Sequence, residues 1–136
     1  MKKIISIFMA LVTLVSFALC INAAVIPENE IMPLWDNIST ITNSITFTGT
    51  QGIVNGTISG DNGTTVEGKV KVYRQTASGA WSFVGMDSGS STTFWLDLVV
   101  EFTAISGAYY KSVLTTTVYK NGVGEEETVT SYRTCP

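Results

Sequence analysis

This chain of 136 residues contains no histidine. Without imidazole, Ser-His-Asp and Cys-His catalysis are excluded, as is every zinc site that needs a histidine ligand. Cysteine is almost as scarce, with Cys20 and Cys135 the two in the chain. Positive charge is also thin, 8 Lys and Arg against 11 Asp and Glu. Binding to nucleic acid or to an anionic membrane surface begins with a basic patch, and the linear sequence displays none. Helical periodicity is missing throughout the body of the chain.

Carboxylates are the remaining common route to hydrolysis. Asp97 and Glu101 share one face of an alternating run, but four residues along a strand span about 13 Å, beyond the separations glycosidases use. Asp61 with Asn62, and Glu125 to Glu127, lack the ordered ligand alternation of an EF-hand loop. They read as a turn and a solubilising edge. No enzyme activity, cofactor or metal is expected.

The first residues carry an address. Met1-Lys2-Lys3 precedes an uncharged apolar run from Ile4 to Ile21, closed by the small residues Ala23 and Ala24. That pattern reads as a secretory signal peptide over residues 1–24. A lipoprotein reading of Cys20 meets Leu19 where a lipobox takes a small residue. Cleavage removes Lys2, Lys3 and Cys20, leaving six basic residues against eleven acidic ones, a net charge of about −5. Cys135 is then alone, so the expected product is a monomer or a Cys135-linked dimer. No second membrane span or wall-sorting motif follows, and the protein is expected to be secreted and extracellular, with no nucleic-acid partner and no membrane attachment after cleavage.

Residues 25–37, with Pro27, Pro33 and Trp35, read as an extended lead-in. The rest, residues 38–136, reads as one domain, long enough to bury a core unaided. Strands are expected over 41–48, 53–59, 66–75 and 80–85, then a Gly/Ser-rich loop over 87–91. The run 92–103 has the clearest period of two, with Phe94, Leu96, Leu98, Val100 and Phe102 on the core face and Trp95, Asp97, Val99 and Glu101 on the other. The last pair flanks Asn121-Gly122, a strong short-range hairpin signal. Its first strand, 109–120, is expected to turn Tyr109, Lys111 and Val113 outward and Tyr110, Ser112 and Leu114 inward. Whether the turn has two residues or four is open, because few apolar residues after Gly124 fix the register. Gly107-Ala108-Tyr109-Tyr110 stands where immunoglobulin-like sandwiches place a tyrosine corner. Seven short strands without helix predict an all-β, two-sheet immunoglobulin-like sandwich, with a small β-barrel as the alternative.

Pro33-Leu34-Trp35-Asp36-Asn37-Ile38, Tyr73-Arg74-Gln75, Trp81, Tyr119-Lys120-Asn121-Gly122, Glu127-Thr128 and Ser131 together resemble an uncharacterised family of small secreted proteins of Gram-positive bacteria, chiefly Firmicutes. Family members often carry Arg where this chain has Leu34. The resemblance spans nearly the whole mature chain and implies a single exported β-sandwich. It carries no catalytic residue over. The three Asn-x-Ser/Thr sequons, at Asn37, Asn55 and Asn62, then read as ordinary Thr-rich strand sequence.

Trp95 and Tyr73 each interrupt a polar strand face. They are either exposed, to stack on a sugar or anchor a protein partner, or covered by the lead-in with Trp35, and covering is the preferred expectation. The candidate binding surface is thus Trp95, Tyr73 and Trp35, on a secreted, non-enzymatic interaction module for protein or glycan. The competing expectation is a structural or self-associating protein joined through Cys135 or an edge strand.

Overall fold

The computed structural model describes residues 35–136. The expected signal peptide and most of the expected lead-in lie outside the described residues. Seven strands follow in order: β1 (Ile38–Thr48), β2 (Gln51–Gly60), β3 (Thr65–Gln75), β4 (Trp81–Ser91), β5 (Trp95–Thr103), β6 (Tyr109–Lys120) and β7 (Val123–Thr134). They form two antiparallel sheets, a three-stranded one in the order β1-β2-β5 and a four-stranded one in the order β4-β3-β6-β7. This is an immunoglobulin-like sandwich, and no sheet closes into a barrel. In constant-type immunoglobulin domains the fourth strand joins the first, second and fifth; here it pairs with the third.

The core lies between the sheets. Ile45, Val54, Ile58, Leu98 and Val100 enter from one side, and Val66, Val70, Val72, Tyr110, Leu114 and Val118 from the other. Each is buried, and each such side chain is worth about 1.5–3 kcal/mol on transfer from water. Tyr110 serves as the tyrosine corner: its ring is fully buried and its hydroxyl accepts the Ile105 N–H at 2.9 Å. The hairpin turn is resolved as the two-residue form, pairing Lys120 with Val123. Asn121 (φ 53°) and Gly122 (φ 81°) both adopt the left-handed region that such a turn requires.

Two expectations are corrected. Residues 87–91 are not a loop but the second half of β4. A register shift between Val72 and Tyr73 inserts Val84 as an extra residue in β4, so Trp81, opposite Gln75, and Phe83, opposite Tyr73, lie on the outer face while Gly85, Asp87 and Gly89 turn inward. That break of phase hides the strand from a period-two reading. The inward glycines also have a packing reason. A methyl group on Gly85 would stand 3.1 Å from Val100, and one on Gly89 3.4 Å from Leu96, so β5 fills the space above them. The second correction is Phe94, expected in the core series but 46% exposed. The chain is still bending at that point, and β5 begins only at Trp95; Phe94 contributes its carbonyl, which accepts the Gly60 N–H at 2.8 Å.

Where the sheets meet along their edges, side chains replace a backbone ladder. At the β1–β7 seam the Glu125 carboxylate accepts the N–H groups of Asp36 (3.0 Å), Asn37 (2.7 Å) and Ile38 (3.2 Å). Midway, the Asn43 amide donates to the carbonyls of Ser112 (3.1 Å) and Val129 (2.9 Å), and the buried Ser112 hydroxyl donates back to it at 2.8 Å. Further on, Arg133 donates to the Ile45 carbonyl at 3.1 Å. At the β4–β5 seam, Asp87 accepts the Val99 N–H at 3.0 Å. These ties occupy backbone groups that an open sheet edge would offer to another chain.

Candidate functional site

The outer face of the four-stranded sheet sorts its side chains by chemistry along the strands. Cross-strand register builds one row from Phe83, Tyr73, Lys111 and Tyr132, taken in the order β4, β3, β6, β7. Trp81 and Tyr109 stand beside it toward the end of the sheet. The next rows bring Lys71 beside Met86 and Val113, then Lys69 beside Ser88 and Thr115. The row after that holds Glu67 and, two strands away, Glu126.

The aromatic end is packed yet open. Trp81 lies 6.0 Å from Tyr109 and 6.2 Å from Tyr132, centroid to centroid, and those two tyrosines stack at 5.9 Å with 15° between their planes. Tyr73 meets Phe83 edge-on at 5.9 Å. Lys111 sits among them, its ammonium 4.4 Å from the Trp81 ring and 5.2 Å from that of Tyr73, a cation–π arrangement. Cross-strand aromatic pairs do stabilise sheets, but a purely internal cluster would cover its rings. Phe83 and Tyr132 remain 56% and 54% exposed. A shallow trough of about 450 Å³ runs from this end between β3 and β6, over Lys69, Lys71, Val113 and Thr115.

Tyr73 is therefore where the sequence reading put it, on an outward face, half-covered by Phe83 and Lys111. Trp95 is on the outer face of the other sheet and does not join it. The preferred expectation that Trp95 is covered is corrected: the side chain is 49% exposed. Its indole N–H donates to Asp97 at 2.8 Å, and Thr57 donates to the second oxygen of the same carboxylate at 2.8 Å. Trp35 is corrected as well, because it packs against the core rather than beside Trp95 or Tyr73. Cys135 is held within the fold. Its sulfur is buried, its backbone N–H donates to the Ala108 carbonyl at 2.9 Å, and its carbonyl accepts the Gly107 N–H at 2.9 Å. A disulfide to a second chain requires the terminal segment to leave the core.

Trp81, Phe83, Tyr109, Lys111 and Tyr132 were not named as site residues from sequence. Alternation within each strand puts Trp81 with Phe83 on one face of β4 and Tyr109 with Lys111 on one face of β6. Only the register of four strands shows that these are the same face. Comparison with protein-family models and with curated proteins gave no match to this chain.

Proposed function

We propose that this protein is an exported, non-enzymatic binding module that takes an extracellular glycan or protein on the outer face of its four-stranded sheet. The observation that carries this reading is the cluster of Trp81, Tyr73, Tyr109, Tyr132 and Phe83 around Lys111, with rings left open to solvent. Exposed aromatics grouped on a rigid sheet supply contact area with little side-chain entropy to lose, and tryptophan and tyrosine are the side chains that most often dominate binding energy. Export rests on the leader pattern of residues 1–24 and on the resemblance to small secreted sandwich proteins. A non-enzymatic role is supported by the lack of histidine and by Asp97, whose two oxygens are engaged by Trp95 and Thr57.

The test is retention of extracellular glycans and proteins on the immobilised full chain, compared with its Trp81→Ala and Trp95→Ala variants. Trp81→Ala weakens the strongest interaction by at least about tenfold, as loss of a binding hot spot does. Trp95→Ala leaves it unchanged. The opposite pattern places the binding surface on the other sheet and refutes the assignment.

A further inference from the structure

The same face carries a charge pattern that points to a class of ligand. After leader cleavage the chain holds six basic residues, Lys69, Lys71, Arg74, Lys111, Lys120 and Arg133. Three of them, Lys69, Lys71 and Lys111, stand on this one outer face although the protein as a whole is acidic. The linear sequence shows no basic patch because Lys111 is some forty residues from the other two; antiparallel pairing of β3 with β6 brings it beside Tyr73. Lys69 and Lys71 alternate along β3, so their Cα atoms are about 7 Å apart on the same side of the sheet.

These lysines are not spent on internal ion pairs. Among the described residues the one ion pair is Lys120 with Asp61, at 3.5 Å, at the far end of the domain. Lys111 is held over two aromatic rings. Lys69 and Lys71 line the open trough together with Glu67, which closes its end away from the aromatic cluster; Glu126 stands in the same row as Glu67, two strands away. The floor of the trough is uncharged along β6, where Val113 is followed by the hydroxyls of Thr115 and Thr117.

Resting on the binding-module reading above, we infer that the ligand is a linear anionic polysaccharide. It lies along the β3–β6 trough, with a sugar ring on the Trp81–Tyr109–Tyr132 cluster and its negative groups beside Lys71 and Lys69. Flat apolar ring faces match the aromatic end, hydroxyls match the threonines, and the anion pairs with Lys71 and Lys69, neither of which is within ion-pair distance of a carboxylate among the described residues. A lysine ammonium acts as a point charge, whereas recognition of one planar anionic group by a bidentate fork needs arginine. The trough therefore selects for negative charge at a spacing rather than for one kind of anionic group.

The experiment measures binding of the full chain to soluble polymers at low and at physiological salt. Polygalacturonate carries carboxylates, dextran sulfate carries sulfates, and a polyglycerol-phosphate chain carries phosphates; unmodified dextran is the neutral probe and a single-stranded oligonucleotide the non-sugar polyanion. At least one anionic polymer binds more tightly than dextran, and the strongest arm identifies the anionic group. Raising the salt weakens that binding, because exposed charges are screened over about 8 Å at physiological ionic strength. Lys69→Ala and Lys71→Ala each reduce affinity by about threefold to fivefold, as for exposed ion pairs, and Trp81→Ala reduces it further, all with thermal unfolding unchanged in the lysine variants. Binding to dextran that equals the anionic polymers and ignores both lysine substitutions overturns the anionic ligand while leaving the binding module standing. Tighter binding to the oligonucleotide, or retention of proteins alone, overturns the polysaccharide class. Binding that ignores Trp81→Ala as well as both lysine variants removes this face altogether.

Discussion

Replacing Glu125 by alanine removes the acceptor for three consecutive backbone N–H groups at the entry to β1. The contacts to Asn37 and Ile38 are partly buried, and the one to Asp36 is exposed. Water replaces the exposed contact at little cost. The other two are hydrogen bonds to a charged group, worth about 1.5–3 kcal/mol each when fully shielded and less where solvent has access. A loss of about 2 kcal/mol is expected in urea unfolding. For a domain of this size each kcal/mol lowers the midpoint by about 4–8 °C, so thermal unfolding drops by about 8–16 °C. Gln at the same position keeps one amide oxygen, which can still accept from Asn37 and Ile38, and costs about half as much. The loss has a place as well as a size. Amide exchange at Asn37 and Ile38 accelerates in Glu125→Ala, while exchange in β2 and β6 follows only the global change. If Glu125→Ala matched the native protein in both urea midpoint and Ile38 exchange, the carboxylate would not be what fastens this segment.

Asn43 and Ser112 form a shared tie across the core, and alanine at either leaves a shielded polar partner without its bond, costing about 1–3 kcal/mol. A double-mutant cycle on urea unfolding shows coupling, the pair of substitutions costing less than the sum of the singles; strict additivity refutes the direct bond. The hydroxyl of Ser39 donates to Asp61 at 2.8 Å and, with the nearby Lys120 ammonium, holds that carboxyl below the ordinary aspartate value. A carboxyl depressed in the folded state contributes stability in full above its unfolded value and loses it as pH falls through the folded one. Ser39→Ala therefore moves the Asp61 titration upward in an NMR pH series and leaves acid stability less dependent on this group; an unmoved titration refutes the contact.

The fold was legible where each strand kept one period. β3, β5 and β6 show uninterrupted alternation, because one face meets the core and the other meets water, and their inward residues are buried or, as for Gly68, Leu96 and Phe102, half-buried. β4 was half lost, since the bulge at Val84 switches which parity faces inward and the inward positions after it are Gly85, Asp87 and Gly89, with no apolar side chain to report burial. Phe94 misled for the opposite reason: it continues the alternation one step past the end of the pairing. The site was legible only in pieces. Tyr73 stood out because it interrupts a polar face. Glu125 read as a solubilising edge charge, and its three backbone partners lie nearly ninety residues away in sequence. The aromatic cluster draws on four strands, and no local pattern encodes which outward faces coincide.

The seam between β1 and β7 has a mechanical consequence. Glu125 meets the entry of β1, Asn43 meets Val129, and Arg133 meets Ile45, so contacts advance along both strands together and the first and last strands run parallel. The start of β1 and the end of β7 are therefore at opposite poles of the domain. Tension applied between those poles slides the two strands lengthwise and loads the carboxylate, amide and guanidinium ties at once, in shear. They share the load instead of opening one after another like a zip, and a module stretched between two attachments would hold until all three give way.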